Sequence, residues 1–275
     1  MIARGSCDLV SEIAGELPSY VIADLMGIPL EDGRRLYELT EKMHASEEAV
    51  TQHERAAASM EMLNYAMSVA DDKRKNPGPD LATQLLNSEI DGDRLTPAEY
   101  SLFFMLLINA GGDTTRNLLA AGMLALFDNP DQRRRLQEDL DRLLPAAVEE
   151  MLRYVSPVIY MRRTAARDTE LGGKKIQAGD KVVMYYGSAN RDESIFPEPD
   201  RFDVARTPND HIAFGGGGTH FCLGAHIARL EIQVMLREIL TRIADIEQAG
   251  PAQWVESNFI SGLRRLPVQF TACGT

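Results

Sequence analysis

No proline interrupts the chain between Ala98 and Asn129, and no other feature limits its architecture as severely. Thr96-Pro97-Ala98-Glu99 reads as the start of a helix. The threonine hydroxyl can cap, proline suits the first helical position, and the glutamate three residues on completes a capping box. Asn129-Pro130 supplies the stop. The expected helix covers 97–127, and at about 30 residues it is about 45 Å long, the width of a whole domain. Everything else has to pack around it. Its most apolar part, LFFMLLINAGG at 102–112, is broken by Asn109 and followed by Asp113 and Arg116. That stretch is too short and too polar to span a bilayer.

Helical periodicity dominates the first half. Apolar positions recur at Val10, Ile13, Leu17, Val21, Ile22, Leu25 and Met26 before Gly27, with Pro18 expected to kink or subdivide the segment. Further helices are expected at 31–44, 50–74 and 80–88. Two more are expected at 131–143 and 146–155, the latter entered through Pro145. The pattern then changes. Residues 158–187 hold β-like runs (TELGG, KKI, KVVMYY), and 190–207 form a long irregular segment. A last helix is expected at 223–245, with a short hairpin in the tail. The fold class is therefore mainly α with a small β portion, in one domain over 1–275.

With 44% hydrophobic and 25% charged residues, the chain reads as an ordinary globular protein. A net charge of −12 argues against a nucleic-acid partner. Cys7, Cys222 and Cys273 are too few and too scattered for a disulfide framework or a zinc cluster. MIARGSCDLV lacks an apolar leader. The expected location is cytoplasmic, with no membrane anchor. The amphipathic pattern is already established by Asp8, as in a chain that starts in the middle of something.

Four segments carry the chemistry. The first is FGGGGTHFCLG, Phe214 to Gly224. Cys222 sits there at the start of an expected helix, where the dipole and free N–H groups favour a thiolate. Such a thiolate can act as a nucleophile or a metal ligand. Nucleophilic use wants a paired base, and zinc or iron–sulfur sites want more thiolates. One thiolate inside a glycine loop fits the axial ligand of a haem. The second segment is Ala110-Gly111-Gly112-Asp113-Thr114-Thr115. Mid-helix glycines serve close helix packing about as often as anything else. They also permit a local widening that opens a groove, into which Asp113 and Thr114 can pass protons. The third is Glu150 and Arg153, by itself an ordinary i, i+3 surface pair. It gains interest if Arg201 of PDRF joins it and pins the irregular segment. The fourth is Arg162-Arg163, either a surface pair or a carboxylate clamp.

Taken together, AGGDTT, ExxR, PDRF and GxHxCxG, in this order, resemble the cytochrome P450 family of haem-thiolate monooxygenases. The resemblance runs from about Asp8 to the end. It implies that fold, lacking its N-terminal third, with 97–127 as the distal helix, 145–155 as the ExxR helix and 208–245 as the haem-binding loop and following helix. It implies haem b (iron protoporphyrin IX) ligated by Cys222, with Arg163 and His220 as propionate partners. Phe214, Gly216, Gly218, Gly224 and Gly111 would line the cofactor. Asp113 and Thr114 match the distal acid–alcohol pair, and Glu150, Arg153 and Arg201 the structural triad. The implied activity is hydroxylation of a small apolar substrate by dioxygen, with electrons from a ferredoxin and its NAD(P)H-dependent reductase. The candidate substrate class is a sterol side chain, fatty acid or isoprenoid lipid. Ala110, Val158, Ile159 and Ile260 are candidate pocket residues, and Arg133-Arg134-Arg135 is a candidate docking cluster.

Two departures bear on this. The family's usual phenylalanine position, seven residues before the cysteine, is Gly215 here, so Phe214 lies one residue further away. The family also has strands and a propionate-binding helix before the point where this chain begins. The chain alone is therefore expected to bind haem weakly or not at all. The rival from another class is a truncated, non-catalytic product acting as a lipid-binding or interaction module.

Overall fold

The computed structural model describes residues 4–45, 49–243 and 245–271. In chain order these form β1 (Ser6–Asp8), a π-helical turn (Val10–Ala14), α1 (Glu16–Met26), α2 (Leu30–His44), α3 (Gln52–Lys75) and α4 (Leu81–Asn87). The hairpin β2 (Glu89–Ile90) and β3 (Asp93–Arg94) leads into α5 (Pro97–Asp128), then α6 (Pro130–Glu138) and α7 (Leu140–Val155). Next come β4 (Tyr160–Thr164), β5 (Thr169–Leu171), β6 (Lys174–Ile176), β7 (Lys181–Tyr185) and α8 (Tyr186–Ala189). After a long loop, α9 (Ala225–Arg242) precedes β8 (Glu247–Gln248), β9 (Gln253–Trp254), β10 (Leu263–Arg265) and β11 (Pro267–Gln269).

The long helix forms as its sequence dictates. Thr96 accepts from the Glu99 amide while the Glu99 carboxylate accepts from the Thr96 amide, and Pro97 occupies the first turn. At 32 residues α5 is about 48 Å long. It serves two cores. Tyr100, Phe104 and Ile108 in its first half pack with α1, α2, α3 and α4. Leu118 to Leu126 in its second half pack with α7, α9, Leu9, Val10, Val268 and Phe270. The segment Gly111–Asn117 lies at the junction, which is where the acid and alcohol stand.

Close packing fixes the first core. Gly27 closes α1 at φ 63°, a left-handed conformation. A side chain there would start 2.5 Å from Asp80, so the position needs glycine twice over. Asp80 in turn caps α4 and accepts from Lys73 of α3 at 2.8 Å, and Lys73 also reaches the Gly27 carbonyl at 2.7 Å. Three helix ends are thus tied at one corner.

Several boundaries differ from expectation. Pro18 lies in the first turn of α1, where a missing N–H costs nothing, and the subdivision falls at Gly15 instead. Pro145 does not open its helix: α7 begins at Leu140 and carries Pro145 inside it, because the chain breaks at Asp139 (φ −141°, ψ 54°). The last helix is shorter at both ends than 223–245. The tail is not a hairpin. β10 pairs with β9, whereas β11 pairs with both β8 and β1, placing Cys7 opposite Val268. The β5–β6 hairpin turns at Gly172-Gly173, both at positive φ, as its sequence demands.

Candidate active site

The ExxR pair is no surface salt bridge. Glu150 and Arg153 on α7 are both fully buried. Arg153 donates twice to Glu150 (2.8 and 2.9 Å), and to the carbonyls of Asn190, Pro199 and Arg201 at 2.8, 2.8 and 3.1 Å. All its N–H groups are engaged. One side chain therefore knots α7 to the irregular segment. Arg201 does not join as expected. Only its carbonyl takes part, while its exposed guanidinium pairs with Glu198 at 3.1 Å. The second cation on Glu150 is Arg206, with Nε at 3.1 and 3.2 Å from the two carboxylate oxygens. Asp203 N–H and Asn209 complete the set at 2.9 and 3.2 Å.

The knot hands the chain to the cysteine loop. Buried Asn190 donates to Ser156 and accepts from the Ile212 amide, both at 2.8 Å. Gly215, Gly217 and Gly218 then take φ of 93°, 94° and 79°, which only glycine adopts freely. The turn brings the Cys222 N–H to the Phe214 carbonyl at 3.0 Å. Cys222 is exposed, and α9 starts three residues later with no side chain capping its free N–H groups. Nothing lies within 4 Å of where a side chain would sprout from Gly216, Gly217, Gly218 or Gly224. The other described cysteine differs: burial pushes the Cys7 thiol up to about 11. Cys273 lies outside the described residues.

A bracket that sequence reasoning missed holds this loop from behind. Glu149 on α7 takes Arg229 of α9 at 2.6 and 2.8 Å, and His211 Nε2 lies 3.0 Å from the same carboxylate. The Arg229 guanidinium lies 4.5 Å from the centre of the Phe214 ring. Although burial opposes it, the hydrogen bonds from Arg229 and His211 hold the Glu149 carboxyl down at about 2. The only advance signal was an acid beside the ExxR glutamate and an arginine one turn into the last helix.

On α5 the acid and alcohol are present, without the expected widening. The helix runs unbroken through Gly111–Thr114. Gly111, expected to face the cofactor, instead makes room for Ile22 of α1; a side chain there would start 3.1 Å from it. The packing explanation holds for that residue. The Thr114 hydroxyl donates to the Ala110 carbonyl at 3.1 Å. Asp113 is buried and accepts from Arg116 at 2.6 Å. Arg116 also binds Glu41 of α2 and stacks over Tyr37. Burial favours neutral Asp113, whereas the guanidinium favours its carboxylate.

The remaining candidates divide. Val158 bridges Ile260, and the Ile159 amide bonds the Phe259 carbonyl at 2.9 Å, so three pocket candidates come together. Ala110 lies on α5 and is exposed. Arg163 and His220 are exposed, and neither forms an ion pair among the described residues. Arg133–Arg135 do not form one face: Arg135 pairs with Asp203 at 2.9 Å and Arg133 stacks on Phe127.

Glu231 of α9 is buried, and its Oε2 has no hydrogen-bond partner. Burial pushes its carboxyl from 4.5 up to about 7. Its neutral form suits the fold, so its favourable contribution is complete below pH 4.5 and is lost as pH rises towards 7. Glu231→Gln is therefore expected to stabilise the chain by about 2 kcal/mol at pH 8 and to be neutral near pH 4.5, read as the difference in Tm at each pH.

A mainly helical fold built around one central helix thus presents an exposed cysteine, behind a glycine turn and three residues before a helix that no side chain caps. No group of three or more potential metal-ligating side chains occurs among the described residues. The cytochrome P450 family model matches residues 7–244, and the chain belongs to that family. It is 46% identical over 267 residues to the methyl-branched lipid omega-hydroxylase of Mycobacterium bovis, covering 96% of this chain and 62% of that protein. It is 40% identical to the steroid C26-monooxygenase of Rhodococcus jostii, covering 98% of this chain and 57% of the relative. Among solved structures, a Mycobacterium marinum cytochrome P450 in complex with pseudoionone superposes with a TM-score of 0.92 at 41% identity, covering 97% of this chain and 66% of the other. The chain thus spans about three-fifths of the curated relatives it matches. No described helix is long and apolar enough to cross a membrane.

Proposed function

We propose that this chain carries the thiolate side and the distal helix of a haem-dependent monooxygenase acting on a branched or polycyclic lipid. The observation that carries this is Cys222: exposed, three residues before the uncapped start of α9, in a loop that three left-handed glycines close against Phe214. The open surface around Gly216–Gly218 and Gly224 suits a flat ligand lying against backbone. Cys222 would hold the haem b iron, and the exposed Arg163 and His220 its propionates. When bound, the haem supplies dioxygen activation with a thiolate that favours O–O cleavage.

The chain's own residues supply position and protons. The Glu150–Arg153–Arg206 knot and Asn190 fix where the loop that carries Cys222 starts. Burial raises the Asp113 carboxyl to about 6, with Arg116 donating to it at 2.6 Å, which suits it to take up and release a proton at its carboxylate. Thr114 Oγ, one residue on, is parked on the Ala110 carbonyl and can rotate to accept. Val158, Ile159 and Ile260 offer an apolar wall. The relatives named for methyl-branched lipids and for steroids support a lipid substrate. Electrons would come from a ferredoxin and its NAD(P)H-dependent reductase.

The test is turnover. Because the chain alone is expected to hold haem weakly, it is loaded with excess haem; supplied with a ferredoxin–reductase pair and a methyl-branched fatty acid, it should then give a terminally hydroxylated product that depends on NAD(P)H. Lipid binding with no product at saturating haem would contradict the proposal.

A further inference from the structure

We infer that Arg229 is a positioning residue for the Cys222 loop, acting through the ring of Phe214. Its guanidinium does three things at once. It forms a two-point pair with Glu149 of α7, at 2.6 and 2.8 Å. Its Nη1 lies 3.4 Å from the Ala225 carbonyl in the first turn of its own helix. Its Cζ lies over the Phe214 ring, 4.5 Å from the ring centre. A planar cation with a fork of donors can satisfy an acid at its edge and an aromatic ring on its face; an ammonium cannot do both.

The contact reaches the ligand in two steps. Phe214 is the residue whose carbonyl accepts the Cys222 N–H. Fixing its ring fixes that carbonyl, and so the backbone that aims Cys222. The other end of the bracket is fixed too. His211 shares the Glu149 carboxylate through Nε2, while its Nδ1 accepts the Ala213 N–H at 3.2 Å, just before the loop. Glu149 neighbours Glu150, so the bracket and the buried knot spring from adjacent residues of α7. Here the phenylalanine stands eight residues before the cysteine, and Arg229 supplies the grip that keeps its ring in place.

The inference rests on the haem-thiolate reading only for why the loop must be rigid; its test needs no haem. Amide hydrogen exchange on the full chain is compared between wild type, Arg229→Met, Arg229→Lys and Glu149→Gln. Arg229→Met should speed exchange at the Cys222 and Gly215 amides about tenfold, with the buried amides of α7 unchanged. Glu149→Gln should loosen the same amides, and Arg229→Lys should fall between. Phe214→Leu added to Arg229→Met should produce little further change, because both remove one contact. Unchanged loop amides in Arg229→Met would overturn the inference. So would a speed-up shared equally with α7, or fully additive effects of Arg229→Met and Phe214→Leu. Cys222→Ser spectra test the haem reading separately, so the two can fail independently.

Discussion

Arg153→Met is expected to leave the chain without a cooperative fold. Arg153 and Glu150 have no exposed surface, and the arginine spends all its donors on one carboxylate and three backbone carbonyls. Removing it strands the Asn190 and Pro199 carbonyls and leaves the buried Glu150 carboxylate with Arg206 as its remaining cation among the described residues. Breaking a buried pair from one side costs about 3–5 kcal/mol, against about 5–15 kcal/mol of total stability for a typical domain. The stranded carbonyls add to that loss. Urea unfolding should lose its sigmoidal transition, and near-UV circular dichroism should collapse while far-UV signal persists. Arg153→Lys keeps the charge but replaces a planar fork with a point donor, so it should also be severely destabilised. Two further substitutions locate the second cation. Arg206→Ala should cost about 2–3 kcal/mol, whereas Arg201→Ala should stay within about 0.5 kcal/mol, because an exposed pair such as Arg201–Glu198 adds little. Equal effects would mean that Arg206 is not the residue holding Glu150.

That contrast shows where sequence stops being legible. PDRF announces an arginine near the ExxR pair, but whether Arg201 or Arg206 turns inward depends on the path of an irregular segment with no period to read. Glu149, His211 and Arg229 are scattered over 80 residues of sequence, and only packing brings them together. β1 pairs with β11 across almost the whole chain, so nothing local at Ser6–Asp8 forecasts a strand. Pro145 misleads because proline reads as a boundary, while a neighbouring non-helical Asp139 makes the break. What could be read was local and over-determined. α5 has a capping box and proline at its start and Asn-Pro at its end, and its limits fall almost where the sequence puts them. The glycine run before Cys222 could be read because three of its members need φ values that other residues resist. The glycines of α5 were ambiguous for the opposite reason. A helical glycine signals closeness to something, and at Gly111 that something is Ile22.

Cys222→Ser is expected to have the largest functional effect. A serine fits the loop: the residue is exposed, its amide still reaches Phe214, and the glycine turns are untouched. Fold and Tm should be unchanged within about 0.5 kcal/mol. Its hydroxyl is a far weaker and harder ligand than a thiolate, so the electronic signature of thiolate ligation should vanish completely. The central claim is therefore tested most directly by adding ferric haem in excess to the wild-type chain and to Cys222→Ser, and recording their electron paramagnetic resonance and Soret spectra side by side. Excess haem is added so that even a weak site is filled. The account predicts a thiolate-type spectrum in the wild-type chain and none in the variant. The same spectrum from both, or no thiolate-type spectrum from the wild-type chain at saturating haem, would contradict it.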